Sequence, residues 1–218
     1  MRRLVFKVDL HTHSTASHDG GIKPAQYKQV LESGLLDCVA ITDHGRIDIA
    51  QQLHDELGDK IIIGEEIMSQ QGEIIGLYLD KPVMAGLSAH ETIQVIRDQG
   101  GIVYIPHPFE TVRKGLHPEV LEELEIDILE VCNGRAFAQN RSQQAVVWAR
   151  LNHVSGAAAS DAHGIKGLGK TYTLLAEVPT RTTLQTQMRQ ARVITERPAL
   201  RSLLYPKYHR LRKKVLRK

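Results

Sequence analysis

Cysteine is nearly absent from this sequence: Cys38 and Cys132 are the only two in 218 residues. Two thiols make no disulfide framework of the kind small secreted domains use, and a reducing cytoplasm is the natural setting. No run of about 18 apolar residues occurs, which excludes a membrane-spanning helix. Met1-Arg-Arg leads straight into a strand-like segment carrying Lys7 and Asp9, so no secretory leader is expected. Internal repeats and linkers are also missing. A chain of 218 residues with 42% apolar content then suits one well-buried domain better than two.

Acid is absent from the C-terminal end. Nine of the 28 Lys and Arg residues lie beyond Glu196, so the first 196 residues carry 19 bases against 25 acids, a net of −6. The expected organisation is a mildly acidic domain over 1–200 and a basic tail over 201–218.

What is present is a regular alternation of apolar strands and helices. Val5–Asp9 reads as a strand, and Pro24–Gly34 as a helix with Pro at its start and Gly at its stop. Strands follow at 36–44, 60–67, 73–79, 101–108, 127–133 and 155–163, with further candidates at 172–175 and 193–195. Helices are expected at Arg46–Leu57, Ser88–Gln99, Pro118–Glu125, Phe137–Leu151 and near Leu184–Ala191. In the second of these, Ser88 and Glu91 form a capping box. Such alternation argues for a helix-covered parallel sheet. Six strands end in polar or metal-ligating residues, which favours a β/α barrel, because its strand ends share one face.

The stretch Asp9-Leu-His-Thr-His-Ser-Thr-Ala-Ser-His-Asp-Gly20 carries the strongest chemistry. His11 and His13 are two apart, so an extended chain presents both imidazoles on one face, within reach of one divalent ion. His18 and Asp19 add donors in the turn that follows. Asp9 and Asp43 are candidates to hold a ligand's other N–H. His54, His90, His117, His153 and His209 fall on helices or loops without acidic or histidine neighbours, and read as ordinary histidines.

The blocks DLHTHS…DG (9–20), AITDHG (40–45), GEEI (64–67), IPHP (105–108), EVCNGR (130–135) and SDAHG (160–164) resemble, in order and spacing, the PHP family, named for polymerase and histidinol phosphatase domains. The resemblance implies a distorted seven-stranded α/β barrel, TIM-like, with two or three divalent ions at the strand ends. His11, His13, Glu65 and Asp161 match ligands of one ion. Glu65 would bridge to a second, which also uses His107. Asp19, His44 and His163 match ligands of the third, and Glu65, Asp161 and His163 would then serve catalysis. Glu73 stands where related members often carry His; Glu73, Cys132 or Asn133 could complete the second site, and His18 could substitute as a ligand. Mixed imidazole and carboxylate donors suit Zn, Mn or Fe. Arg135 is a candidate phosphate clamp, or else an ordinary surface arginine at a helix start.

The implied activity is hydrolysis of a phosphomonoester, nucleotide or short oligonucleotide by a metal-activated water. The alternatives are a histidinol-phosphate-type phosphatase and a non-catalytic, metal-stabilised nucleic-acid-binding module. Gly164–Thr171 formally fits the phosphate loop G-x-x-x-x-G-K-[ST], but Tyr172-Thr-Leu-Leu after it reads as strand, where that motif requires a helix. The tail has Leu204, Tyr208, Leu211 and Val215 at helical spacing. It reads as a solvated end or as a basic amphipathic helix holding nucleic acid. A membrane-surface helix is less supported, for want of Trp or Phe.

Overall fold

The structure, a computed structural model, describes residues 5–110, 112–135 and 139–216. Strands β1 (Phe6–Asp9), β2 (Cys38–Ile41) and β3 (Ile61–Met68) are parallel neighbours. Helix α1 (Pro24–Glu32) joins the first pair, and α2 (Asp48–Leu57) joins the second. The chain then reverses into β4 (Glu73–Leu77), antiparallel to β3. Only four residues separate these two strands, and a parallel pair needs a crossover of a dozen or more. Helix α3 (Ala89–Asp98) leads to β5 (Ile102–Ile105), antiparallel to β4. Helix α4 (Pro118–Leu121), β6 (Ile128–Asn133), α5 (Gln139–Leu151) and β7 (Ser155–Ala159) restore the parallel run. A hairpin-like pair, β8 (Thr171–Leu175) and β9 (Arg192–Thr195), with α6 (Leu184–Met188) between, adds antiparallel strands beside β1.

Among the described residues the sheet therefore has nine strands, in the order β7-β6-β5-β4-β3-β2-β1-β8-β9, where seven were expected, and it is mixed where a parallel one was expected. The extra strands are the 172–175 and 193–195 candidates, which join at the free edge of β1. The sheet is nearly closed. The Thr173 hydroxyl of β8 accepts from Ala158 N at 3.0 Å and donates to Ala158 O at 2.9 Å, so a side chain ties β8 to β7 where no strand ladder does.

Residues drawn from β1 through β8, including Val8, Ala40, Ile62, Ile75, Leu77, Tyr104 and Ile128, form the inner cluster, and Leu184 and Met188 of α6 complete it. Helices α3 and α5 pack on one side of the sheet, α1 and α2 on another. The Ser88–Glu91 capping box forms as the sequence predicts: Ser88 Oγ accepts from Glu91 N at 3.2 Å and Glu91 Oε2 accepts from Ser88 N at 2.8 Å. Helix α2 begins at Asp48, not Arg46, and Phe137 lies outside the described residues. The tail folds into α7 (Tyr205–Leu216). Among the described residues, no helix is long and apolar enough to cross a membrane.

Candidate metal centre

The segment after β1 delivers its two histidines as the two-residue period requires. The rings of His11 and His13 are 5.1 Å apart, and their Nε2 atoms face each other at 3.1 Å. A short parallel bridge between Thr12 and Ala162 fixes this segment against the chain leaving β7. That chain carries Asp161 and His163, so the first and last strand-end motifs meet. Asp161 Oδ1 lies 3.7 Å from His11 Nε2 and 3.6 Å from His13 Nε2.

The carboxylate that lies among the imidazoles is Glu66, and not Glu65, which the resemblance put there. Glu66 Oε2 lies 3.2 Å from His13, 3.4 Å from His11 and 3.5 Å from His44, while Oε1 lies 3.0 Å from His107. Strand alternation is the reason. Ile62 belongs to the inner cluster, so Gly64 and Glu66 follow on the same face and Glu65 takes the opposite one. There Glu65 accepts from Val83 N at 2.7 Å, and burial raises its pKa to about 7.

Cys132 also stays out of the cluster. A β-bulge between Glu130 and Cys132 shifts the register against β7. One extra residue reverses the alternation, so Glu130 and Asn133, three apart, both reach the site while Cys132 turns away. Burial pushes the Cys132 thiol up to about 11. Glu130 accepts from Tyr104 Oη at 2.8 Å and from the His107 backbone N–H at 2.6 Å, and its Oε1 meets His11 Nδ1 at 3.1 Å. Glu130 thus holds the far nitrogen of His11, the role the sequence suggested for Asp9. Asp9 instead accepts from Ser160 N at 3.0 Å, and Asp43 accepts from Ser14 N at 2.7 Å.

Among the described residues, four groups of donors lie within mutual reach: His13, Asp19, His44 and His163; His11, Glu66 and His107; His11, His13 and Asp161; and His44, Glu66 and Glu73. Glu73 Oε2 approaches His107 Nε2 at 3.6 Å. Asp19 Oδ2 approaches His163 Nε2 at 3.4 Å, and its Oδ1 approaches His44 Nε2 at 3.7 Å. His18 stands at the rim, half exposed, 3.7 Å from Asp19. His107 and Asp161 adopt left-handed backbone at φ +30° and +49°. For a residue with a side chain this costs about 1–2 kcal/mol, which the surrounding packing must over-determine.

Two arginines meet Asp161. Arg135 Nη1 donates to both Asp161 oxygens at 3.1 Å, and Arg113 Nη1 donates to Asp161 Oδ2 and to Asn133 Oδ1 at 2.7 Å. Arg113, which no motif of the sequence marks, sits in the loop after His107 and is anchored there by Glu110. Lys170, by contrast, pairs with Glu196 at the surface, and the glycine-rich run around it leads into β8. The phosphate-loop match therefore lacks its helix.

The electrostatics fit a cation. Burial raises Glu73 to about 9, reinforced by the charges of Glu66 and Asp161. Burial opposes the ionised forms of Glu66 and Asp161 too, yet Glu66 is held well below the usual carboxylate range by His11 and His44, and Asp161 by Arg135 and His11. Despite burial, His11 is pushed well above its ordinary pKa by Asp161 and Glu66, and His13 is raised by Glu66. His163 falls to about 3, through burial and the charges of His13 and Arg135. Carboxylate oxygens and imidazole nitrogens crowd together here, and among the described residues His13 Nδ1 and His107 Nδ1 are buried with no hydrogen-bond partner. Divalent ions satisfy such a donor set better than protons do.

No family model matches the chain. Two proteins of Methanocaldococcus jannaschii do match. The uncharacterized protein MJ1587 is 36% identical over 141 residues, 59% of this chain and 82% of its own length. The uncharacterized protein MJ0417 is 32% identical over 180 residues, 79% of this chain and 72% of its own length. The chain belongs to their family. Among solved structures, it is similar to a two-domain protein of Bacteroides vulgatus containing a predicted PHP-like metal-dependent phosphoesterase, with TM-score 0.70, 21% identity and coverage of 95% of this chain and 70% of that one. It is also similar to a predicted metal-dependent phosphoesterase of Bifidobacterium adolescentis (TM-score 0.57, 18% identity, 72% and 87% covered). An amidohydrolase of Chromobacterium violaceum with bound sulfate and no metal is a third such structure (TM-score 0.62, 15% identity, 89% and 99% covered). This chain thus shares the fold of the PHP-like structures, and side chains that could hold divalent ions cluster at its strand ends.

Proposed function

We propose that this protein is a metal-dependent phosphoesterase, working with two or three divalent ions of Zn, Mn or Fe. The observation that carries the reading is the convergence of His11, His13, Asp19, His44, Glu66, His107, Asp161 and His163 into adjoining donor groups beside two arginines. When bound, closely spaced divalent ions lower the pKa of a shared water and neutralise charge on phosphoryl and leaving-group oxygens. His11, Glu66 and His107 would hold one ion. His13, Asp19, His44 and His163 would hold another, and Asp161 with Glu73 would complete the set.

The chain's own residues do the remaining work. Glu130 fixes the tautomer and orientation of His11. Arg113 and Arg135 donate to Asp161 beside the donor cluster and would bring positive charge to an oxyanion bound there. That charge is why a phosphoester is favoured over an amide. A phosphomonoester, nucleotide or short oligonucleotide is the substrate class, and a histidinol-phosphate-type substrate belongs within it. The free thiols Cys38 and Cys132 support a reducing, cytoplasmic setting. The test is a hydrolysis screen of nucleotides, sugar phosphates and short RNA with added Mn²⁺ or Zn²⁺. Metal-dependent release of phosphate supports the reading; a metal-loaded protein inert toward every phosphoester overturns it.

A further inference from the structure

The C-terminal helix carries an arrangement unrelated to its net charge. Tyr205, His209 and Lys213 are spaced by four, so they share one face of α7. All three address loops of the donor cluster. A β-carbon on Gly164, next to His163, would overlap the ring of Tyr205, and one on Gly21, two residues past Asp19, would overlap the ring of His209. Lys213 then reaches the loop between them. Its Nζ donates to Thr15 O and Gly20 O, each at 2.8 Å, and to Ser17 O. An ammonium has three N–H donors, and here three backbone carbonyls of one turn receive them.

That turn carries Asp19. Ser17 Oγ donates to Asp19 Oδ1 at 2.9 Å, and Asp19 in turn faces His163 and His44. One path therefore runs from Lys213 through the loop backbone and Ser17 to a carboxylate of the donor group His13, Asp19, His44 and His163. The opposite face of α7 presents Leu204, Tyr208, Leu211 and Val215 to solvent, so packing of that face does not explain why the helix sits where it does.

We propose that Lys213 is a positioning residue, clamping the Thr15–Gly20 turn so that Asp19 is preorganised for the ion held with His13, His44 and His163. This rests on the metal reading of the site, but not on the identity of the substrate. On this proposal, removing α7 should affect even a small phosphomonoester.

The test is metal binding by Lys213→Met and Asp19→Asn, alone and together, using Mn²⁺ titration of the full chain. Lys213→Met should weaken one ion about tenfold, the low end of the range for losing a group that supports a ligand, and leave the others within about twofold. In the Asp19→Asn background it should add little, because that ion is already lost. Hydrogen exchange of metal-free protein gives an independent readout: residues 15–21 should exchange faster in Lys213→Met, with β1 to β7 unchanged. Equal weakening of every ion, additive losses in the double variant, or unaltered exchange over 15–21 would each overturn the proposal. Should Lys213→Met fail to fold, Lys213→Gln, shorter in donors, is read in the same way. If the wild-type chain binds no Mn²⁺, the metal reading fails, and the exchange comparison still decides whether Lys213 clamps the turn.

Discussion

Changing Glu66 to Gln, beside the same change at Glu65, separates two adjacent carboxylates by the face of β3 they occupy. Glu66 lies 3.0–3.5 Å from four imidazoles and is 2% exposed. Its charge is the shared counter-ion of the cluster. Removing one member of a buried charge pair costs about 3–5 kcal/mol. At about 1.4 kcal/mol per factor of ten, that is a loss of roughly two to three and a half orders of magnitude in binding of the bridged ions, and a similar loss in phosphoester turnover. Among the described residues Glu65 accepts one hydrogen bond, from Val83 N, and a glutamine oxygen can still accept it. Glu65→Gln should keep the full metal complement and turn over within about threefold of the parent. The assay is metal content after dialysis against dilute Mn²⁺, followed by phosphate release. A Glu65→Gln protein that loses its metal while Glu66→Gln retains it would refute the assignment and imply that β3 is out of register by one residue.

Arg113→Met and Arg135→Met should each raise KM for a phosphomonoester tenfold to a hundredfold, the worth of a charge-assisted hydrogen bond of about 1.5–3 kcal/mol; unchanged KM in steady-state kinetics removes both from substrate binding. Metal binding should release protons and tighten with rising pH, because His11 and His13 hold theirs above the ordinary histidine value in the metal-free protein. The sign for stability is the opposite. Raised imidazoles contribute stability fully below about pH 6.5 and lose it as pH climbs through their raised values, so the Tm gain on adding metal should widen from pH 6 to 8. A gain that is constant or shrinks in calorimetry across that window contradicts the donor assignment.

The features legible in the sequence are those set by short periods. The His11-x-His13 spacing predicts a shared face, and the two Nε2 atoms meet. Strand ends carrying His107, Asp161 and His163 converge because consecutive β/α units bring the same strand ends together. Glu66 was hidden because Ile61–Met68 is apolar on both faces, so hydrophobic alternation gives no register. Glu130 was hidden by the bulge, which no composition rule marks; the same bulge decides between the candidates Cys132 and Asn133 in favour of Asn133. Arg113 lies in an irregular loop and reaches Asp161 across 48 residues of sequence. The sense of β4 was open to reasoning, since four residues after β3 cannot support a parallel return. The placement of α7 was not, because it depends on two glycines, Gly21 and Gly164, leaving room for rings more than 40 residues away.

The central claim is that the clustered donors hold divalent ions that hydrolyse a phosphoester. The most direct measurement is a titration of metal-stripped protein with Mn²⁺, following bound metal and phosphate release in the same samples. Activity should be absent at the start, rise with the second or third equivalent bound, and stay absent in His11→Ala at every metal level. Phosphate release that is independent of bound metal, or survives in His11→Ala, would contradict it.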